Sequence, residues 1–245
     1  MMERKGEQRQ VVIAMKGHPG TGKSTLANAV AKALKFPLVD KDHFRDCTHT
    51  IQQVLMQASP ATAAKLLNDL SYEAMWRVIS TQLCLGLSVV VDSPLSRQAH
   101  LNRLLEMASH SGARVVVVEC KPGDEAQWRR RVELRGGGCG GSGWHKPSTW
   151  QEMEVLLEGY GGCWDYDFGE VPKLVIDTTA PVEVAELVAK FFPLRNGNEE
   201  VAEFDRLSRP DSDGLAPPDS TLVGPGIVVR SDIPSPLGLP NLTRH

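Results

Sequence analysis

The run of residues 11–25 limits what this chain can fold into more than any other stretch. Val11-Val12-Ile13-Ala14-Met15 is short, apolar and rich in β-formers. It leads through Lys16 into Gly17-His18-Pro19-Gly20-Thr21-Gly22-Lys23-Ser24-Thr25. Residues 24–34 then suit a helix, with Leu26, Val30 and Leu34 at helical spacing. Strand, glycine-rich loop and helix in that order read as a phosphate-binding loop, Gly17-x4-Gly22-Lys23-Ser24. Glycines let the backbone curl so that its N–H groups converge on phosphate oxygens. The following helix adds its N-terminal donors and the positive end of its dipole. Lys23 can reach the β- and γ-phosphates as a point charge, and the Ser24 hydroxyl can ligate Mg²⁺. An ordinary glycine turn would leave the Lys23-Ser24 pair unexplained.

The rest of the chain keeps alternating strand with helix. Further strands are predicted over residues 36–39, 88–92, 113–119 and 172–177. The 88–92 run is continuously apolar and ends in an acid, which suits a strand buried on both faces of a parallel sheet. Helices are predicted over residues 43–57, from Pro60 to Leu85 behind a Ser59 cap, from the 93–97 turn to Met107, and over 124–134. Two more follow, over residues 149–158 behind a Ser148 cap and over 181–192. Leu66, Leu67, Leu70, Ala74, Val78, Ile79 and Leu83 mark the expected apolar face of the long second-half helix, with Met75 and Trp76 as core beside it. Alternation of this kind predicts an α/β fold with a mainly parallel sheet. Ligands then sit at the carboxyl ends of the strands. That rule groups the glycine loop, residues 40–45, Asp92 and Glu119-Cys120 on one rim.

A length of 245 residues, 41% of them hydrophobic, allows one domain with a real core plus an appendage. The appendage starts at Arg195. From there prolines, glycines, serines and aspartates dominate and Phe204 is the only aromatic. Such a segment cannot bury enough apolar surface to offset its ordering entropy. Residues 8–194 are therefore expected to form the domain, and 195–245 a mostly disordered tail that can dock a protein partner.

The net charge of −3 leaves no basic footprint for non-specific nucleic-acid binding. No apolar run is long enough to span a membrane, and residues 1–7 lack the apolar centre of a secretory signal. The five cysteines form no Cys-x-x-Cys, which suits a reducing compartment. The cytoplasm is the expected location, with the nucleus as the alternative. Cys139, His145 and Cys163 match no zinc spacing.

Several residues then stand out as carriers of chemistry. Asp92, at a strand end, is placed for the Mg²⁺ shell. Asp42 and Arg45, three apart after the second strand, offer a carboxylate for an acceptor hydroxyl and a cation to hold that acceptor. The bland reading of Asp42 is a helix cap. Arg129, Arg130, Arg131 and Arg135 share one helix and run into the glycine-rich residues 136–143. Arg131 and Arg135, four apart, share a face. A flexible flap over about residues 129–150 can carry them over the phosphates. Trp144, His145 and Lys146 either touch substrate or anchor the flap. Residues 159–167 read as a second mobile loop with no clear task.

Taken together these motifs resemble the small phosphate-loop kinases typified by the 5′-hydroxyl kinase domain of phage polynucleotide kinase and its AAA-like kinase relatives. The resemblance covers roughly residues 10–192. It implies a three-layer αβα sandwich around a five-stranded, mainly parallel sheet, and the use of ATP and Mg²⁺. It implies that Asp42 is the general base, that Arg45 holds the acceptor, and that Arg131 and Arg135 are lid arginines. The glycine run after Arg135, the His145-Lys146-Pro147 block and the tail depart from the family's pattern. The expected activity is ATP-dependent transfer of a phosphoryl group to a hydroxyl. A small-molecule acceptor is favoured over a nucleic-acid 5′-hydroxyl or a tRNA-linked acceptor because no basic stripe is visible. A regulator that binds or hydrolyses ATP without transfer is the other class. The guanine-reading string Asn-Lys-x-Asp is absent.

Overall fold

The computed structural model describes residues 9–55, 60–136 and 144–191. The expected tail and the glycine run beyond Gly136 lie outside them. Five strands form one parallel sheet: β1 Val11–Lys16, β2 Leu38–Asp40, β3 Val89–Asp92, β4 Arg114–Lys121 and β5 Lys173–Asp177. Their order is β2-β3-β1-β4-β5, so β1 lies at the centre. Every residue of β1 and β3 is buried, as continuous apolar runs in a two-sided parallel sheet require. β5, at one edge, alternates exposed and half-buried positions.

Alternate side chains of the central strands enter two cores. Val12, Ala14, Val89, Val91, Val115 and Val117 meet the face built by α4 (Pro60–Cys84) and α5 (Gln98–Ser111). Val11, Ile13, Met15, Val90, Val116 and Val118 meet α1 (Lys23–Leu34) and α8 (Val184–Phe191). Helices thus cover both faces of the sheet, giving three layers.

Parallel register aligns the strand ends that matter. Asp40 pairs with Asp92 and Met15 with Asp92, while Lys16 pairs with Glu119. The rim expected from the sequence is therefore built by the ladder itself.

Three local expectations are corrected. The helix expected over residues 43–57 is two helices, α2 Lys41–Asp46 and α3 His49–Leu55. Thr48 breaks it by donating its hydroxyl to the Arg45 carbonyl at 2.8 Å, a local bond that competes with helical continuation. The cap of α7 (Trp150–Gly159) is Thr149 and not Ser148. Thr149 and Glu152 form a reciprocal capping box there, and Ser148 donates to the same Glu152 carboxylate. On α4, Leu66 and Leu70 lie exposed, at 57% and 52%. The buried stripe instead runs through Ala63, Leu67, Ser71, Met75, Ile79 and Leu83, widened by Tyr72 and Trp76. Leu66 and Leu70 sit one position off that stripe, which sequence spacing alone does not resolve.

Candidate active site

The glycine loop connects β1 to α1 and begins where β4 ends. A Cβ on Gly17 would lie 2.7 Å from Thr21 Oγ1 and 3.0 Å from the Cys120 carbonyl. Gly20 has φ +84°, and a Cβ there would lie 2.7 Å from Val132 Cγ2. Both positions therefore need glycine, one for space and one also for backbone conformation. The loop is held from outside as well. Trp128, on α6 (Glu125–Gly136), donates its indole N–H to the Pro19 carbonyl at 2.9 Å. Thr178 donates its hydroxyl to the Thr21 carbonyl at 2.6 Å.

Lys23 and Asp92 form a buried pair at 3.0 Å. Burial opposes the lysine's charge, but Asp92, with Asp42 and Asp40 behind it, raises the Lys23 pKa above its ordinary value. Both Asp92 carboxylate oxygens are buried, and beyond the Lys23 ammonium no donor of the described residues is placed to hydrogen-bond them. A carboxylate so placed is the kind of hard oxygen donor that could hold Mg²⁺, and the Ser24 hydroxyl of the loop is another. Mg²⁺ commonly keeps several waters and uses one or two protein oxygens. Accordingly, no cluster of three or more His, Cys, Asp or Glu is placed for a metal among the described residues.

Asp42 lies at the start of α2. Asp40, not Asp42, caps that helix, accepting from the Asp42 N–H at 2.8 Å. Burial and the neighbouring Asp92 raise the Asp40 pKa. Asp42 is instead surrounded by cations. Lys41 stands 2.8 Å from one carboxylate oxygen and His145 3.2 Å from the same one, while Lys146 stands 2.7 Å from the other. Burial pulls its pKa upward, but His145, Lys41 and Lys146 outweigh it and hold the carboxyl far below the usual carboxylate range. The other nitrogen of His145 lies 3.5 Å from Asp46.

One cavity of about 440 Å³ joins the two ends of this site. Gly17, His18, Pro19, Gly20, Lys23 and Ser24 border it on the loop side, and Lys41, Asp42, His145 and Lys146 on the other. Arg135 also borders it and feels the charges of Asp42 and Asp92. Arg131 does not. It donates to the Thr178 carbonyl at 2.9 Å and stands beside Gly22. Arg45 is also away from the cavity. It is buried, donates to Thr48 at 2.6 Å and to Gln52, and lies 4.5 Å from the ring of Trp144. Trp144 therefore anchors its segment onto α2 and α3, its ring also lying tilted against that of His49 at 4.9 Å.

Residues 160–168 have a task the sequence concealed. Trp164 stacks on His18 at 3.5 Å, and its ring lies 3.5 Å from the ammonium of buried Lys16. Tyr166 donates to the Leu95 carbonyl at 2.8 Å. Burial, with Lys16 nearby, lowers the His18 pKa to about 4, so the ring is neutral near pH 7. Burial lowers Lys16 to about 8 against the attraction of Glu119. The aromatic segment thus packs against the start of the phosphate loop through His18 and Lys16. Its signal was the density of aromatics near Gly159-Tyr160, which no spacing rule connects to His18.

The comparisons with known proteins follow this geometry. Residues 12–142 match the model of a family described as an AAA domain. No curated protein matches the chain. A protein from Chloroflexus aurantiacus, provisionally assigned as a kinase, shares the fold with a TM-score of 0.54 at 20% identity, covering 76% of this chain and 96% of its own. A gluconokinase from Sinorhizobium meliloti gives 0.45 at 22% identity, over 82% of this chain and 95% of its own. The APS kinase of Mycobacterium tuberculosis, solved with AMPPNP and APS, gives 0.47 at 14% identity, over 76% of this chain and 96% of its own.

Proposed function

The chain belongs to the AAA domain family, and from that premise we propose that it is an ATP-dependent kinase acting on the hydroxyl of a small molecule. The observation that carries this reading is a single one. The phosphate-loop lysine and an ionised carboxylate, Asp42, border the same cavity. A nucleotide switch needs the first; a hydroxyl acceptor gives the second its purpose.

The loop amides and Lys23 hold the β- and γ-phosphates. Ser24 and Asp92 would hold Mg²⁺, which when bound neutralises phosphate charge. The acceptor oxygen forms a bond to the γ-phosphorus. The bond from that phosphorus to its bridging oxygen breaks, and ADP leaves with the electron pair. Asp42 accepts the hydrogen bond of the attacking hydroxyl and then its proton. In a loose transition state the hydroxyl loses its proton late, so a weakly basic but well-oriented carboxylate suffices. Arg135 stabilises the transferred group from the cavity wall. Arg131 steadies the loop beside Gly22, and Arg45 holds Trp144 and with it the segment that carries His145 and Lys146.

The test is phosphate transfer from ATP with Mg²⁺ to pools of hydroxyl compounds, with Lys23→Ala and Asp42→Asn alongside. Transfer that both variants lose, with ATP binding retained in Asp42→Asn, supports the reading. The cation cage on Asp42 favours one second reading, an ATP-binding regulator whose acceptor carboxylate is permanently occupied. ATP binding with no transfer to any pool selects that second reading.

A further inference from the structure

The cavity is larger than a phosphate site, and its far wall has been assigned nothing so far. That wall comes from α4 and from the turn that leads β3 into α5, through Lys65, Asp69, Tyr72, Arg97 and His100. The charges along it can be paired off. Lys23 faces Asp92. Lys41 and Lys146 share Asp42. Lys65 faces Asp69 at 3.2 Å. Both carboxylates that border the cavity are thereby engaged. Arg135 and Arg97 also border it, and no carboxylate of the described residues lies in salt-bridge range of either; of the two, Arg97 belongs to this far wall. Its charge is felt by Tyr72, His100 and Tyr160, which line the same space.

His100 adds a second, independent observation. Its ring lies 4.3 Å from that of Tyr72, and its Nδ1 is buried without a hydrogen-bond partner. A buried polar atom left unpaired costs stability unless a ligand completes it. An unpaired guanidinium and an orphaned ring nitrogen, one helical turn apart at the start of α5, therefore face one cavity.

Resting on the kinase reading, we infer that the acceptor is a small hydroxy compound carrying an anionic group, carboxylate or phosphate, that Arg97 grips and His100 helps to orient. The planar fork of arginine matches either anion in a two-bond geometry. The cavity of about 440 Å³, shared with the triphosphate end, is of a size that a small molecule fills. Arg97 is thus a specificity-determining residue, remote from the transferred phosphorus.

The experiment uses the full chain with ATP and Mg²⁺ against four pools: hydroxy acids, sugar phosphates, neutral polyols and sugars, and a 5′-hydroxyl oligonucleotide. Wild type, Arg97→Gln and Arg97→Lys are compared. One anionic small-molecule pool is expected to be phosphorylated, and which of the two it is separates carboxylate from phosphate. Arg97→Gln should raise its KM at least about tenfold, the worth of a charge-assisted hydrogen bond, with kcat and ATP affinity little changed. Arg97→Lys should recover part of the loss. Equal kcat/KM for neutral polyols, preference for the oligonucleotide, or no KM change in Arg97→Gln overturns the inference and leaves the kinase reading intact. If no pool is phosphorylated, the kinase reading fails. Calorimetric titration of the two anionic pools then decides the site separately: heat of binding lost in Arg97→Gln sustains an anion site, and no heat overturns it.

Discussion

The two ends of the cavity are built in different ways. The lining of the phosphate end comes mainly from one unbroken run, Gly17 to Ser24, shaped by its own glycines and the helix that follows, with Trp128, Thr178 and Trp164 bracing it from outside. The acceptor end is gathered from α2, α4, the start of α5 and the segment after the glycine run. The first end has a buried ion pair, Lys23 with Asp92, in which the carboxylate is 1% exposed. The second has a cage that is also largely buried, its most exposed member being Lys146 at 25%, which reaches Asp42 from another part of the chain. On the kinase reading, the contiguous end would hold the triphosphate and the gathered end the acceptor.

This contrast predicts a ranking of effects. The largest belongs to Lys23→Met. Transfer should fall by about a thousandfold or more, and the buried Asp92 left without its partner should cost about 3 kcal/mol of stability. Kinetics and urea unfolding on the same protein measure both. Asp42→Asn comes next, with transfer lowered about a hundredfold or more while ATP affinity is retained. If Asp42→Asn lost ATP binding as fully as Lys23→Met, the division into two ends would be wrong. Gly20→Ala follows. Its left-handed φ costs about 1–2 kcal/mol for an alanine, and the added Cβ meets Val132 and Trp128. A lowered melting temperature and weaker ATP binding are expected together. Lys146→Met should be mildest in the folding balance, within about 1 kcal/mol, because the lysine is one of three cations on Asp42 and is partly exposed.

A pH titration sharpens the same picture. His18 backs the loop end and His100 the acceptor end, and burial lowers both rings from 6.5 to about 4. In the unfolded chain each takes up a proton near pH 6.5, while in the fold neither does until about pH 4. The unfolded state therefore binds more protons across that window, and stability falls as the pH drops from about 6.5 to about 4. Thermal melts at pH 7 and pH 4.5 should show the loss, and His18→Gln with His100→Gln should flatten it. A wild-type melting temperature that is level or rises toward pH 4.5 would contradict this account.

How much of this was legible beforehand follows the same division. That Lys23 and Asp92 would meet on one rim was readable because strand, loop and helix follow one another, and because backbone geometry near glycine is a local matter. That Asp42 would lie on this rim was readable from its place after β2; that Arg45 would not line the cavity beside it was not. The pair looks like one unit along the chain, yet Thr48 and Gln52 draw the arginine into the α2–α3 junction. Arg131 and Arg135 share a helical face in sequence, yet Thr178 captures one and the cavity keeps the other.

What local chemistry settles is therefore the order of elements, the parallel sheet and the phosphate loop. These depend on hydrophobic period and on backbone freedom, which neighbouring residues carry between them. The cage on Asp42, the stacking of Trp164 on His18 and the placing of Arg97 on the cavity wall depend on which distant side chains arrive at the same place. That is set by packing of whole helices onto the sheet, since a side chain's partner is a matter of position in space and its residue type does not encode it.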